Sequence, residues 1–146
     1  MTNTATPQKN PLSELDNYDW RNDPKLSANW KTRFSFFEKY LSPTTFKSTP
    51  KMSAETKKMS ISQFMLIYTN LFALFLTFIY LGWIGLWRQA LMLLAALLVI
   101  TMTFHALNLS TSAINAASMG LSIYACLRTN VWYYIKKVKG DIGWIL

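Results

Sequence analysis

Between Met59 and Leu127 the chain carries one formal charge, Arg88, with His105 as the one further titratable side chain of basic type. No other feature restricts the fold as strongly. A water-soluble domain of ordinary composition scatters charge through every surface element, whereas apolar runs of this length belong to bilayer spans or to fully buried helices. The 29 uncharged residues before Arg88 make about 44 Å of helix, more than the roughly 30 Å hydrocarbon core needs. One span at about 61–81 is enough. "GWIGLW" (82–87) then forms a turn whose tryptophans suit the membrane interface. The 39 uncharged residues from Gln89 to Leu127 are too long for one span and break within "NLSTSAIN" (108–115). A second span is therefore expected over about 89–107.

A third helix is expected over about 113–139. Its first half is rich in small residues. Ala113, Ala116, Ala117 and Gly120 share a face suited to close helix packing, and Ala116 and Gly120 form a small-xxx-small pair. Its second half is amphipathic. Leu127, Val131, Tyr134, Ile135 and Val138 fall on one side, and Arg128, Thr129, Lys136 and Lys139 on the other. That pattern predicts a marginal span passing into a helix that lies along the interface.

The rest of the charge sits in the N-terminal region. Residues 1–60 hold ten of the fifteen Lys/Arg and six of the seven Asp/Glu. Residues 1–52 read as a polar tail and 53–146 as a membrane domain. Within the tail, residues 1–26 are expected to be loosely structured. "SANWKTRFSFFEKYL" (27–41) reads as an amphipathic helix with Ser27 as its cap. Trp30, Phe34 and Phe37 make its apolar face, and Arg33 intrudes on that face. The face is read as lying in lipid headgroups or docking on protein, without a decision between them. Ser53 is the expected cap of a helix entering the first apolar run.

The charge rule for topology places the N-terminal tail, with Lys51, Lys57 and Lys58, in the cytoplasm. Arg88 alone then marks the first external loop. A complete third span would put Lys136, Lys137 and Lys139 outside, against that rule. The rule favours two firm spans plus a third helix that is interfacial or partly inserted, over three complete spans. Arg88, Arg128 and the three C-terminal lysines are the candidate interfacial or lipid-contacting cations. The absence of an apolar segment in the first thirty residues leads us to expect no cleavable signal peptide.

Catalytic chemistry is not expected. The membrane body has no Asp or Glu from Met59 through Lys139, which weakens proton-coupled transport. A single cysteine, Cys126, excludes an internal disulfide and reads as a small buried hydrophobe. No cofactor, no metal centre and no nucleic-acid partner are expected. The net charge of +8 is read as attraction to anionic lipid. Asn70 is expected to face another helix. Asn70, Asn115, His105 and Arg128 are the candidates for a polar path.

Three stretches together resemble a bacterial family catalogued as domain of unknown function 2628. They are "RFSFFEKYLSP" (33–43), "IYLGWIGLWRQALMLL" (79–94) and "TNVWYYIKKVKGDIGW" (129–144). The resemblance implies a small bacterial inner-membrane protein and supplies no catalytic residues. The chain is expected to be an all-α, multi-pass inner-membrane protein without enzymatic activity. It would act by association with lipid, with a second copy or with a membrane-protein partner. A small oligomeric transport element, or a toxin-immunity or stress-response membrane protein, is the alternative.

Overall fold

The computed structural model describes residues 18–41, 48–140 and 143–144. Seven helices run among them: α1 (Ala28–Tyr40), α2 (Pro50–Thr56), α3 (Ile61–Tyr68), α4 (Leu71–Phe75), α5 (Thr77–Trp83), α6 (Trp87–Ala106) and α7 (Thr111–Lys139). The chain is all-helical across these residues, as expected. Residues 1–17 and the linker stretch 42–47 lie outside the described residues, as does the side chain of Lys139.

The C-terminal half of α7 is the hub. Ala125, Cys126, Thr129, Asn130, Val131, Trp132, Tyr134 and Ile135 are all buried. Helices α1, α3, α4, α5 and α6 all pack against α7. The expected surface-lying helix is therefore corrected. The amphipathic pattern over 127–139 does show two faces, but residues of both are buried in protein, Val131, Tyr134 and Ile135 of the one and Thr129 of the other. Leu127, assigned to the apolar side, is in fact exposed, and Thr129, assigned to the polar side, is buried.

The described part of the tail joins the same core. Phe34 and Phe37 are fully buried. The Phe34 ring meets Trp20 at 5.8 Å and Tyr134 at 5.2 Å, and Phe37 meets Tyr134 at 5.8 Å. Trp30 is half-buried on Tyr133 at 4.5 Å. Of the two readings of this face, docking on the chain is the one realised: Phe34 and Phe37 are closed off by rings of α7. Ser27 stands at the N-cap without a side-chain cap bond.

The largest departure from expectation is the first apolar run. No single helix covers 61–81. The entry helix begins not at Ser53 but at Pro50, capped by Thr49, whose hydroxyl accepts from the Met52 amide at 3.2 Å. It stops at Lys57. A new start follows at Ser60, which forms a reciprocal capping box with Gln63; two orphan amides are satisfied there at once. The run then breaks at Thr69–Asn70, which are extended, and again at Leu76. At the first break Asn70 caps its own helix, accepting from the Ala73 amide at 3.2 Å. At the second, the Thr77 hydroxyl donates to the Ala73 carbonyl at 2.7 Å, a side-chain bond that competes with the helical ladder and bends it.

These breaks decide where the run goes. Asn70 donates its amide to the Cys126 carbonyl at 3.1 Å. At the other end, Lys136 donates to the Gly85 carbonyl. Both ends of the 70–85 stretch thus meet α7 between Cys126 and Lys136. That is about 15 Å of helix axis, half a hydrocarbon core. The stretch packs against α7 rather than running out as a separate span.

The turn after α5 is closed by Gly85 at φ +82. The Gly85 amide donates to Gly82 and the Leu86 amide to Leu81, at 3.0 and 2.7 Å. This is a paired-bond helix stop that requires a left-handed residue. The turn between α6 and α7 repeats it with Asn108, φ +52. There the Asn108 and Leu109 amides donate to His105 and Phe104 at 3.0 and 2.9 Å. Ser110 then caps α7. The helix break lies within 107–110, at the leading edge of the polar cluster expected to contain it.

Candidate functional site

A polar cluster fills the gap opened by the Thr69–Asn70 break. Interrupting a helix frees carbonyls that must find donors when buried. Two side chains supply them. Asn130, fully buried on α7, donates to the carbonyls of Ile67 at 2.9 Å and Thr69 at 3.3 Å. Arg33 reaches in from α1 and donates to the carbonyls of Leu66 at 2.6 Å and Thr69 at 3.4 Å. The Asn70 amide group in turn donates to Asn130 at 3.0 Å and to the Tyr80 hydroxyl at 3.2 Å. The residue that looked misplaced on the apolar face of α1 is thus the one that reaches the broken helix. The Arg33 guanidinium also lies 4.6 Å over the Trp30 ring. Burial pulls its pKa below the ordinary arginine value, with Tyr80 acting in the opposite sense. Asn70 faces another helix, as expected.

Beside this cluster opens a cleft of about 450 Å³, walled by Arg33, Asn29, Asn70 and Tyr80 and by the apolar side chains of Met65, Leu71 and Phe72. A larger groove of about 690 Å³ lies on the other side of α1. It mixes Arg21, Lys31 and Lys39 with Glu55 and has the character of a solvated surface. Near it, Asp23 is held below the usual carboxylate range, chiefly by a hydrogen bond from Tyr18. Burial and the same bond push the Tyr18 hydroxyl up to about 12.

The second feature is the hairpin of α6 and α7. Among the described residues, α6 is the one helix long and apolar enough to cross a membrane, and it matches the span expected over 89–107. It is not a core helix. Leu91, Leu94, Leu98, Val99 and Met102 are exposed along it, and Met119, Ile123, Tyr124 and Leu127 are exposed along the facing half of α7. Arg88 lies about 27 Å from the end of α6, and Arg128 about 26 Å from the start of α7. Each arginine thus lies towards the base of the hairpin on its own helix, and the 39 residues between them are uncharged.

The other sequence candidates are distributed between these features. Ala113 and Ala117 are half-buried, whereas Ala116 and Gly120 are exposed, and a Cβ on Gly120 would meet nothing within 4 Å. The guanidinium of Arg88 lies over Trp87 at 5.4 Å and Trp144 at 5.8 Å. The buried Gln89 side chain donates to the Gly143 carbonyl at 3.1 Å. Arg128 is half-buried, and its Nε and the Trp132 Nε1 are buried without a hydrogen-bond partner. Lys136 latches the Gly85 turn, and Lys137 lies within 6 Å of the Tyr18 and Tyr133 rings (5.9 and 5.8 Å). The four residues considered for a polar path do not converge. His105 and Asn115 are exposed near the hairpin tip. Asn115 is about 22 Å along α7 from Asn130, the partner of Asn70. Asn130, Tyr80 and the role of Arg33 were missed by sequence reasoning. An arginine on an apolar helix face and an asparagine, Asn70, in an uncharged run were the available signal.

Residues 13–139 match the family described as protein of unknown function (DUF2628). The chain belongs to that family. The matched DUF2628 stretch takes in the first two resembling motifs whole and the third as far as Lys139. Among its relatives is the YigF protein of Escherichia coli (strain K12), described as uncharacterized. It is 33% identical over 131 residues, covering 88% of this chain and 98% of the relative. The YigF proteins of Salmonella typhimurium and Salmonella typhi, described in the same words, are each 34% identical over 128 residues, with the same coverage. No solved structure matches the chain. Both the polar cluster and the hairpin lie within the DUF2628 stretch.

Proposed function

We propose that this DUF2628 chain is a non-enzymatic bacterial inner-membrane protein that acts by association. Helix α6 and the first half of α7 enter and leave the bilayer from the cytoplasmic side. The observation that carries this reading is the exposed apolar hairpin bounded in sequence by Arg88 and Arg128. In water, so large an unpartnered apolar surface is costly and prone to aggregation. In lipid it is the favoured state, with both arginines at the headgroups.

This arrangement removes a conflict in the charge pattern. If α3–α5 re-enters and leaves on one side, Arg88 is no longer an external loop residue. Lys51, Lys57, Lys58, Arg88, Arg128, Lys136 and Lys137 then share the cytoplasmic side, and the uncharged 107–112 turn alone lies outside. That agrees with the positive-inside rule throughout. At the level of the headgroups the broken backbone still needs donors where protein buries it, which is the part played by Arg33 and Asn130. The exposed Ala116 and Gly120 offer a close-packing face to a second copy or to a membrane-protein partner.

Washing of membranes with alkaline carbonate tests the embedding. The protein is expected in the pellet with integral proteins. Its release into the supernatant would refute the reading.

A further inference from the structure

The Arg33 cleft has the chemistry of a phosphate site with an apolar exit. Arginine has five N–H donors in a planar fork. Its bonds to Leu66 and Thr69 use two of them and fix the guanidinium in place. Among the described residues no carboxylate pairs with Arg33, and the ion pairs there are Arg21–Glu38 and Lys58–Glu55. None of the residues walling the cleft is acidic. A positive group held in position and lacking an anion binds a phosphate well, because its ordering is already complete before the ligand arrives.

The shape of the cleft selects among phosphates. From Arg33 and Asn29 it opens past Met65, Leu71 and Phe72, which are exposed on the outer surface. An inorganic phosphate would leave that apolar exit unused, whereas two acyl chains would cover it. The level also fits. Arg33 bonds to the same carbonyl of Thr69 as Asn130 does, and Asn130 lies within one helical turn of Arg128. On the bilayer reading above, on which this step rests, that height is the headgroup layer.

We infer that the cleft seats the phosphate of an anionic glycerophospholipid, such as phosphatidylglycerol, with its acyl chains running over Met65, Leu71 and Phe72. A zwitterionic lipid is disfavoured because its ammonium would find no carboxylate there.

The test uses the full chain in nanodiscs of mixed phosphatidylglycerol and phosphatidylethanolamine, with retained lipid read by native mass spectrometry. The wild type is expected to retain phosphatidylglycerol about ten-fold over phosphatidylethanolamine, the discrimination of one charge-assisted pair. Arg33→Gln should abolish the preference. That variant also strips donors from the helix break, so Asn29→Asp provides a second arm. Asn29 is exposed in the first turn of α1, where an acidic residue is tolerated. Its new carboxylate at the cleft should cut the preference with the fold intact.

Equal retention of both lipids by the wild type, or an unchanged preference in both variants, overturns the proposal. Displacement of the bound lipid by millimolar inorganic phosphate would show a free-phosphate site instead and also overturn it. Flotation with neutral phosphatidylcholine vesicles separates the two levels. Failure to float removes the bilayer reading itself, while flotation without lipid preference removes this inference alone.

Discussion

Replacing Leu94 and Leu98 together by aspartate is expected to release the protein from membranes into the carbonate supernatant or into aggregates. Both leucines are exposed on α6, at 40% and 52%. They lie one turn apart near the middle of the helix. In a water-soluble fold such substitutions touch nothing and change stability by less than about 1 kcal/mol together. In a bilayer each buried carboxylate costs about 3 kcal/mol, so the pair costs about 6 kcal/mol. Aspartate is too short to reach the headgroups from that depth, in contrast to lysine. Circular dichroism in detergent, where both states are soluble, should show the helices retained. Wild-type retention of the double variant in the membrane pellet would argue against insertion of α6.

Asn130→Ala is expected to lower stability by about 3 kcal/mol in a detergent unfolding series. Truncation removes the donor to the Ile67 carbonyl and one of two donors to Thr69, and it also takes away the acceptor for the Asn70 amide. The cost lies less in the bonds lost than in buried groups left without partners. Asn70→Ala carries a similar penalty, because Asn70 caps α4 as well. The double variant should be less destabilised than the sum of the singles, with a coupling of about 1 kcal/mol. Strict additivity would mean that the two asparagines do not act on one break.

Much of this architecture is legible in the sequence. The period of α1, the span at α6, the Gly85 turn and the polar break after α6 all follow from composition and turn chemistry. The three-way division of the first apolar run does not. Hydropathy averages over Asn70 and Thr77, and nothing local shows that Arg33, 37 residues before Asn70, will supply the missing donors. Without that partner an unbroken helix is the cheaper expectation. The same limit explains the second half of α7. Its two-faced pattern is real, but whether a face meets lipid, water or protein depends on elements distant in sequence. Tyr133 and Tyr134 face aromatic rings from α1. Arg128 and Arg88 became informative only once the uncharged chain between them proved to be a helical hairpin.

The central claim is that the hairpin crosses the membrane and returns, with both of its charged ends in the cytoplasm. Single-cysteine labelling tests it most directly. In a Cys126→Ser background, Ser112→Cys marks the hairpin tip and Lys137→Cys the basic end of α7; both positions are exposed. With a membrane-impermeant maleimide applied to intact spheroplasts, Ser112→Cys is expected to react from outside. Lys137→Cys should react only after lysis. Labelling of Lys137→Cys in intact cells, or protection of Ser112→Cys until lysis, would contradict the account.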